Sequence, residues 1–567
     1  MNEWITHFEQ SGETESPAYK ETMEYFKNFA LKTNMARFIS LGISSQGRDI
    51  NCLIVSKGNH FTPWKAKRSG KAIILIQNGI HPGEIEGKDA SMLLLREILI
   101  TQEKKHLLDN LVLLFIPILN ADGHERLSPY NRPNQDGPRM MGFRTTALNL
   151  NLNRDYMKAD TPEMRGLLRL FSAWMPDFYI DNHTTNGMDY QYHITYGMEK
   201  HQNIFGALSK WGQEKFLPYI KTEVEKKGFL STTYIELLKK ELEDGITDWA
   251  SRPLYSTGYS ALQNRLLLLI ETHSLKPFSN RVYSTKAMVE SALEYLNKNF
   301  KKLKEINRKA DRESVKRYAD GKTSFPLSFA GTDEYEMKKF KGIEYIKEES
   351  EITGTHIKHY TGRPVVIDLP VYNKVEITKR VNLPAAYIIP QEFKNIIRRI
   401  KLHGVEVEEL NESRMLTVEK YQISDYRFAE KPYEGRQRVS VNCEVLTEQL
   451  SFPKGTFIIK TKQRGIRIIA NLLEPEAPDS FLSWGFFNAF LERKEYAEDF
   501  VMEPLAQKML KDNANLKNEF VKKLKDDEGF RNNPLERLDY FYRRSNYFDR
   551  RENIYPIFRL IEKIQIT

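Results

Sequence analysis

Short apolar runs alternate with amphipathic stretches over about the first 320 residues of the chain. This rhythm is typical of α/β proteins, in which strands and helices follow one another. Continuous apolar runs of this length predict strands that are buried on both faces. The predicted strands are residues 72–76, 111–119, 177–180 and 266–270.

Three stretches between and after these strands have the period of a helix. Residues 88–100 carry an apolar stripe, and residues 162–174 follow Thr161, a typical N-cap, with Pro162 at the first helical position. Residues 285–318 predict a long charged helix that closes this part of the chain. The stripe of the first helix consists of Met92, Leu93, Leu95 and Ile98.

The pattern changes after Gly321, so we divide the chain into residues 1–320 and 321–567. The second part is predicted as β-rich to about residue 472, interrupted by a helix near residues 390–402, and then helical and aromatic-rich from 480 to about 525. We find no chemical motif in it and expect a supporting or substrate-shaping role. Its β-branched segments are residues 363–368, 456–460 and 467–470.

Composition narrows the class of protein. Of 567 residues, 40% are hydrophobic and 28% are charged, and the net charge is +9. The basic clusters are interleaved with acidic residues, which indicates solvated helix faces and no nucleic-acid partner. Two cysteines exclude a cysteine-based zinc site. There is no apolar run long enough to span a membrane and no signal-peptide pattern, so we expect a cytoplasmic protein, or a periplasmic or secreted one if a signal has been removed.

The segment His81-Pro-Gly-Glu84 follows the first predicted strand and brings an imidazole and a carboxylate together on a tight turn. Zinc commonly takes such a pair where catalysis needs an open coordination position. Other polar residues also follow strands: Asn120, His183 and Glu271. Since ligands bind at the carboxyl ends of the strands in an open α/β sheet, we expect these side chains to converge on one site.

Glu271 is the candidate general base. Five apolar residues precede it, so its carboxylate emerges from a buried strand. Burial raises the pKa of such a group and a nearby zinc opposes this, which suits a base that acts on a water molecule. The alternative is a structural ion pair of Glu271 with Arg265 or Arg281.

Arginines and asparagines recur between residues 142 and 156. A guanidinium grips a carboxylate with two bonds and keeps its charge, so Arg144 and Arg154, with Asn153, could recognise a carboxylate and stabilise an oxyanion. The alternative for this segment is an ordinary surface loop.

In their order along the chain, these motifs resemble the M14 family of zinc carboxypeptidases. The resemblance covers about residues 20–320 and includes residues 41–51, which are similar to the opening strands of that catalytic domain. The matching motifs are His-x-x-Glu (His81, Glu84), Asn-x-Asp-Gly (Asn120, Asp122, Gly123), Asn-Arg (Asn153, Arg154), a strand-end histidine (His183) and a strand-end glutamate (Glu271).

The resemblance implies a mixed central sheet flanked by helices and one zinc per chain, held by His81, Glu84 and His183. It also implies that Glu271 is the general base and that Asn153 and Arg154 bind the terminal carboxylate of the substrate. Arg144 would stabilise the oxyanion, with Arg132 and Arg139 as competitors for that role.

Two positions depart from the family pattern or remain open. Asn151 stands where the family often has an aspartate that backs the first zinc histidine, and an amide would polarise His81 less. The family also has a mobile tyrosine that caps the substrate, and Tyr234, Tyr255 and Tyr259 are all candidates.

We therefore expect a zinc metallocarboxypeptidase that hydrolyses peptides with a free C-terminal carboxylate. The alternatives are a zinc amidase that acts on cell-wall peptides or acylamino acids, and an inactive binding module of the same fold. The complete set of ligands together with Glu271 argues against the inactive module. The preferred C-terminal residue and the oligomeric state do not follow from the sequence.

Overall fold

A computed structural model describes residues 2–561. Its centre is an eight-stranded sheet. In chain order the strands are β1 Ala36–Ile43, β2 Asp49–Val55, β3 Ala72–Gln77, β4 Leu111–Ile116, β5 Phe178–Thr184, β6 Ile194–Gly197, β7 Ser231–Thr233, then β8 Glu236–Leu237 and β9 Ile246–Thr247, which lie outside this sheet, and β10 Leu266–Thr272. Their order across the sheet is β1-β2-β4-β3-β5-β10-β6-β7.

The sheet is mixed. Strands β4, β3, β5 and β10 are parallel neighbours. The pairs β1–β2, β2–β4 and β10–β6 are antiparallel, and β7 is parallel to β6. All residues of β3, β4 and β5 are buried, as the continuous apolar runs predicted. The register of β5 and β10 places Glu271 opposite His183, so two of the candidate residues meet at one edge of the sheet.

Helices cover both faces of this sheet. Ile73, Leu75 and Leu114 pack in a core with helix 162–174, whereas Ile74 and Leu113 pack on the other face against the long helix that ends at Tyr318. The helices are α1 His7–Gln10, α2 Tyr19–Lys32, α3 Pro63–Arg68, α4 Glu86–Leu99, α5 Ala121–His124, α6 Pro162–Trp174, α7 Gly206–Trp211, α8 Leu217–Lys226, α9 Ser256–Leu262 and α10 Phe278–Tyr318.

The remainder of the chain is β-rich and then helical. Its strands are β11 Phe325–Gly331, β12 Glu336–Ser350, β13 Thr355–Tyr372, β14 Val375–Val381, β15 Ala386–Ile389, β16 Glu408–Glu409, β17 Arg414–Phe428, β18 Val439–Phe452, β19 Phe457–Lys460 and β20 Phe558–Leu560. Its helices are α11 Lys394–Leu402, α12 Ile466–Leu473, α13 Asp499–Asp512, α14 Ala514–Asp526, α15 Glu528–Asn532 and α16 Pro534–Tyr542.

This second part does not pack as a separate body. Strand β13 pairs with β9, and β17 and β18 form a long hairpin whose tip reaches the segment 151–160. Helices α11 and α12 contribute Ile397 and Ile469 to the core that also contains Leu167 of α6. The two parts of the chain therefore share one hydrophobic core.

The predicted bounds agree with the structure for one helix and differ from it for several strands. Helix α6 has the predicted bounds, and Thr161 caps it by accepting from the N–H of Met164. Strand β4 ends at Ile116, three residues earlier than predicted, because Pro117 cannot donate to the next strand. Strands β5 and β10 extend to Thr184 and Thr272, so that His183 and Glu271 lie within strands.

Two expectations for the second part were wrong. Residues 467–470 lie in helix α12 and not in a strand. A short apolar run in a sequence does not distinguish a buried strand from a buried helix, and every residue of Ile466–Leu473 is buried. From Ser480 the chain first forms turns, and α13 begins only at Asp499. Among residues 2–561 there is no helix with the length and apolar character that crossing a membrane requires.

Candidate metal centre and active site

Three buried side chains converge at the carboxyl ends of β3 and β5. The Nδ1 atoms of His81 and His183 lie 3.2 Å and 2.9 Å from the same oxygen, Oε2 of Glu84. One potential ligand atom from each of the three residues lies within 4.8 Å of the other two. This is a His-Glu-His donor set, which fits the nitrogen and oxygen preference of zinc and leaves room for a further ligand.

The other ring nitrogen of each histidine, Nε2, also has a hydrogen-bond partner. The Nε2–H of His81 donates to Oδ1 of Asn151 at 3.0 Å, and that of His183 donates to Oδ2 of Asp181 at 3.0 Å. These bonds keep the proton on Nε2, so Nδ1 of a neutral ring can offer its lone pair to a metal. The sequence analysis did not identify Asp181, although its position two residues before His183 is visible in the sequence.

The other oxygen of Glu84 faces two arginines. Oε1 accepts from Nη1 of Arg132 at 2.9 Å and from Nη1 of Arg144 at 3.0 Å. Arg139, the other competitor, is 77% exposed and bonds Glu15, so it lies away from the site. Arg144 lines the central cavity, which favours it over Arg132 for contact with a substrate.

The charges around this cluster shift the pKa values of its members in opposite directions. Burial lowers the pKa of His81 to about 4. Burial acts in the same sense on His183, but the carboxylates of Asp181, Glu84 and Glu271 outweigh it and raise its pKa well above the ordinary value. For Glu84, burial is outweighed by His81, Arg132 and His183, which hold its pKa well below the ordinary value.

Glu271 is buried beside the cluster, on the strand next to His183. Burial, with the nearby charges of Glu84 and Asp181, raises its pKa to about 8, while His183 opposes the shift. Neither arginine of the alternative interpretation reaches it. Arg265 is bonded to Asp311 and Arg281 lies beside Glu86, so the carboxylate of Glu271 is free of a structural ion pair with them.

The Asn-x-Asp-Gly motif positions the segment that carries Arg144. Asn120 accepts from the N–H of Gly123, whose own carbonyl accepts from the N–H of Phe143 at 2.8 Å. A Cβ at Gly123 would lie 2.5 Å from the carbonyl oxygen of Thr145, so a larger residue would push this segment away. Asp122 holds the turn from the other side through Ser44 and Arg48.

Asn153 and Arg154 line the same cavity as the metal group and Glu271. They occupy a short 3₁₀ turn, Leu152–Arg154, and the Oδ1 of Asn153 accepts from the N–H of Ser256. The guanidinium of Arg154 stacks on the ring of Tyr255, with 4.5 Å between the central carbon and the ring centroid. The structure thus brings all seven predicted site residues to the wall of one cavity of about 590 Å³: His81, Glu84, Arg144, Asn153, Arg154, His183 and Glu271.

The three candidate tyrosines have different surroundings in the structure. Tyr259 is buried in the core, where its hydroxyl bonds Gln263 and His403. Tyr255 supports Arg154. Tyr234 lines the cavity, as Glu271 does, and the charge of Glu271, together with burial, raises the pKa of the Tyr234 hydroxyl.

Comparison with known proteins agrees with the geometry. The family model for zinc carboxypeptidases, Peptidase_M14, matches residues 22–352. Carboxypeptidase 2 of Trichophyton rubrum is 24% identical over 493 residues, which is 83% of this chain and 84% of that protein. Carboxypeptidase 2 of Trichophyton tonsurans is 23% identical over the same shares of the two chains.

Among solved structures, carboxypeptidase A from Helicoverpa armigera is 14% identical, with a TM-score of 0.39 over 50% of this chain and 74% of that one. The family assignment depends on the family model, which matches more than half of the chain. It implies a bound Zn²⁺, and the group formed by His81, Glu84 and His183 is suited to hold one. The chain belongs to the zinc carboxypeptidase family, Peptidase_M14, and is a zinc metallopeptidase.

Proposed function

We propose that this protein removes single residues from the C-terminus of peptides. The observation that supports this most directly is the shared cavity, which the His-Glu-His group, Glu271 and the Asn153–Arg154 pair all line. A peptide whose terminal carboxylate is bound by Arg154 would place its last peptide bond near the metal group. We propose His81, Glu84 and His183 as the zinc ligands.

Glu271 is proposed as the group that moves the proton. Zinc, when bound, polarises the scissile carbonyl and lowers the pKa of the attacking water towards neutrality. The carboxylate of Glu271 takes a proton from that water and later transfers it to the nitrogen of the leaving amine. Its position in the buried strand β10 holds it rigidly beside His183, so little reorganisation is needed during the reaction.

Two further side chains are proposed to serve the reacting centre. Arg144 lines the cavity and offers N–H donors to the oxygen on which negative charge develops. Tyr234 lines the same cavity as Glu271, whose charge raises the pKa of its hydroxyl, and we propose it as the tyrosine that caps the bound substrate.

Recognition of the terminal carboxylate is proposed for Asn153 and Arg154. A guanidinium binds a carboxylate with two parallel charge-assisted bonds, which gives both affinity and orientation. Losing such a pair in a partly buried site costs roughly 2–5 kcal/mol of transition-state binding. Arg154→Ala is therefore expected to lower kcat/KM for peptides with a free C-terminus by at least tenfold, with unchanged zinc content.

The experiment compares a free peptide with the same peptide amidated at its C-terminus, using the zinc-loaded enzyme. Arg139→Ala is the matched control, since Arg139 is exposed and bonded to Glu15. Equal turnover of both peptides by the wild type would contradict the proposal and favour the zinc amidase. An absence of turnover with full zinc content would favour the inactive binding module.

A further inference from the structure

The tip of the β17–β18 hairpin, residues 429–438, contacts the segment that carries Asn153 and Arg154, two residues that line the cavity. Its Tyr433 hydroxyl accepts from Nε of Arg154 at 2.8 Å. Its Glu434 carboxylate accepts from the backbone N–H of Asn151 at 2.7 Å. Both partners belong to the segment that carries the proposed recognition residues, although the tip is about 280 residues away in sequence.

The tip has a defined conformation of its own. Tyr433 and Arg436 exchange two backbone hydrogen bonds, of 2.9 Å and 3.1 Å, around a tight turn. Glu434 and Gly435 occupy that turn with positive φ angles of 51° and 72°, as two-residue hairpin turns require. The ring of Tyr433 stacks on the ring of buried Trp484, with 6.0 Å between the ring centroids, and this packing restricts movement of the phenol.

A second set of contacts attaches the tip to the segment 151–160. The guanidinium of Arg436 forms two bonds with Asp160, at 2.6 Å and 2.7 Å. Arg399 of helix α11 also pairs with Asp160, at 3.0 Å. The tip is therefore attached to this segment through the bidentate pair of Arg436 and Asp160 as well as through Tyr433 and Glu434.

Another part of the cavity lining is attached to the same region of the chain. Arg252, which lines the cavity, donates to both oxygens of Asp479, at 2.5 Å and 3.3 Å. The N–H of Leu254 donates to Asp479 as well, and Arg438 of the tip lies 3.5 Å from it. Arg154 and Arg252, which both line the cavity, are thus each bonded to residues beyond 430.

These contacts leave Arg154 able to bind a ligand. Of its five N–H donors, Nε is used by Tyr433 and one on Nη1 by the carbonyl of Asn153. The ring of Tyr255 limits rotation of the guanidinium by stacking against it. Three donors remain on the two terminal nitrogens, which are the atoms that grip a carboxylate with two bonds.

We propose that residues 429–438 are a positioning element of the carboxylate-recognition site, and that Tyr433 orients Arg154 for the free C-terminus of a peptide substrate. This inference rests on the proposed function, since it assumes that Arg154 binds that carboxylate. Tyr433 is a positioning residue because it acts on the substrate only through Arg154. The recognition site is therefore built from both parts of the chain.

The test is Tyr433→Phe, which removes only the hydroxyl. Tyr426→Phe is the matched control, because Tyr426 lies on the same hairpin, is 38% exposed against 39% for Tyr433, and bonds the carbonyl of Leu491. With a free-carboxylate peptide we expect KM to rise about three- to tenfold, which corresponds to the net contribution of one ordinary hydrogen bond. We expect kcat to change less than twofold, with unchanged zinc content and unchanged turnover of the amidated peptide.

A second pair of variants tests Glu434. Glu434→Gln keeps an acceptor oxygen for the N–H of Asn151 and should retain most of the wild-type KM, whereas Glu434→Ala should raise KM as Tyr433→Phe does. A KM for Tyr433→Phe equal to that of Tyr426→Phe would overturn the inference, and so would a loss of kcat at constant KM, which indicates a purely structural role. If the wild type itself does not prefer the free peptide over the amidated one, the proposed function fails instead.

Discussion

Zinc uptake by the metal-free protein should release about two protons at pH 7, and Glu271→Gln should reduce that number to about one. The reason is that two groups in the site hold protons which a bound dication would displace. His183 lies between two carboxylates, Glu84 and Asp181, and Glu271 is buried beside all three. The proton count is therefore a direct measure of whether these groups surround the metal.

The magnitude follows from the pKa of each group. That of His183 is well above its ordinary value, so the ring is an imidazolium at pH 7 and must lose one proton before Nδ1 can ligate. The pKa of Glu271 is about 8, which leaves roughly nine-tenths of the carboxyl protonated at pH 7, and a neighbouring dication removes that proton. His81 contributes none, because its pKa of about 4 makes it neutral already.

The assay is isothermal titration calorimetry of zinc into the metal-free protein in two buffers of different ionisation enthalpy at one pH. Glu163→Gln is the matched control, because Glu163 is also buried, has a pKa raised to about 7 by burial, and lies outside the metal group. Its substitution should leave the count unchanged. If wild type and Glu271→Gln release the same number of protons, the argument that Glu271 is held protonated beside the metal site is refuted.

Three other predictions follow from the same geometry. Glu271→Gln should lower kcat by about 10²–10⁴-fold while zinc remains bound, and a near wild-type kcat in steady-state assays would make Glu271 structural. His183→Ala should lose most of the zinc measured by mass spectrometry while circular dichroism keeps the native spectrum; full zinc stoichiometry would exclude His183 as a ligand. Asn151→Asp should tighten zinc binding about tenfold or more in competition with a chelator, because a carboxylate polarises His81 more than an amide does, and unchanged affinity would contradict that role for residue 151.

The central sheet and the metal group were largely predictable from sequence. Continuous apolar runs marked the buried strands, and the parallel order of β3, β5 and β10 brings their carboxyl ends to one edge. Polar residues at those ends, such as His183 and Glu271, could therefore be expected to meet. This inference needs only local pattern and the geometry of parallel strands.

The contacts that complete the site were not predictable in this way. Tyr433 and Arg154 are 279 residues apart, and no periodicity or motif links them. Residues 467–470 lie in helix α12 although their short β-branched run predicts a strand, because an apolar run of this length does not distinguish the two. The choice between Arg132, Arg139 and Arg144 also depended on side-chain placement, since the sequence places all three in one irregular stretch.

The neutral residue at position 151 becomes intelligible when both parts of the chain are considered. Asn151 uses its side-chain oxygen for His81 and for the N–H of Asn153, while its backbone N–H donates to the carboxylate of Glu434. An aspartate at position 151 would place a second negative charge near the carboxylate of Glu434, and like charges in a poorly solvated site repel. Asp181, the partner of His183, instead bonds the neutral amide of Gln77 with its other oxygen. The departure of residue 151 from the family pattern and the arrival of Glu434 from the second part of the chain are thus complementary features of one site.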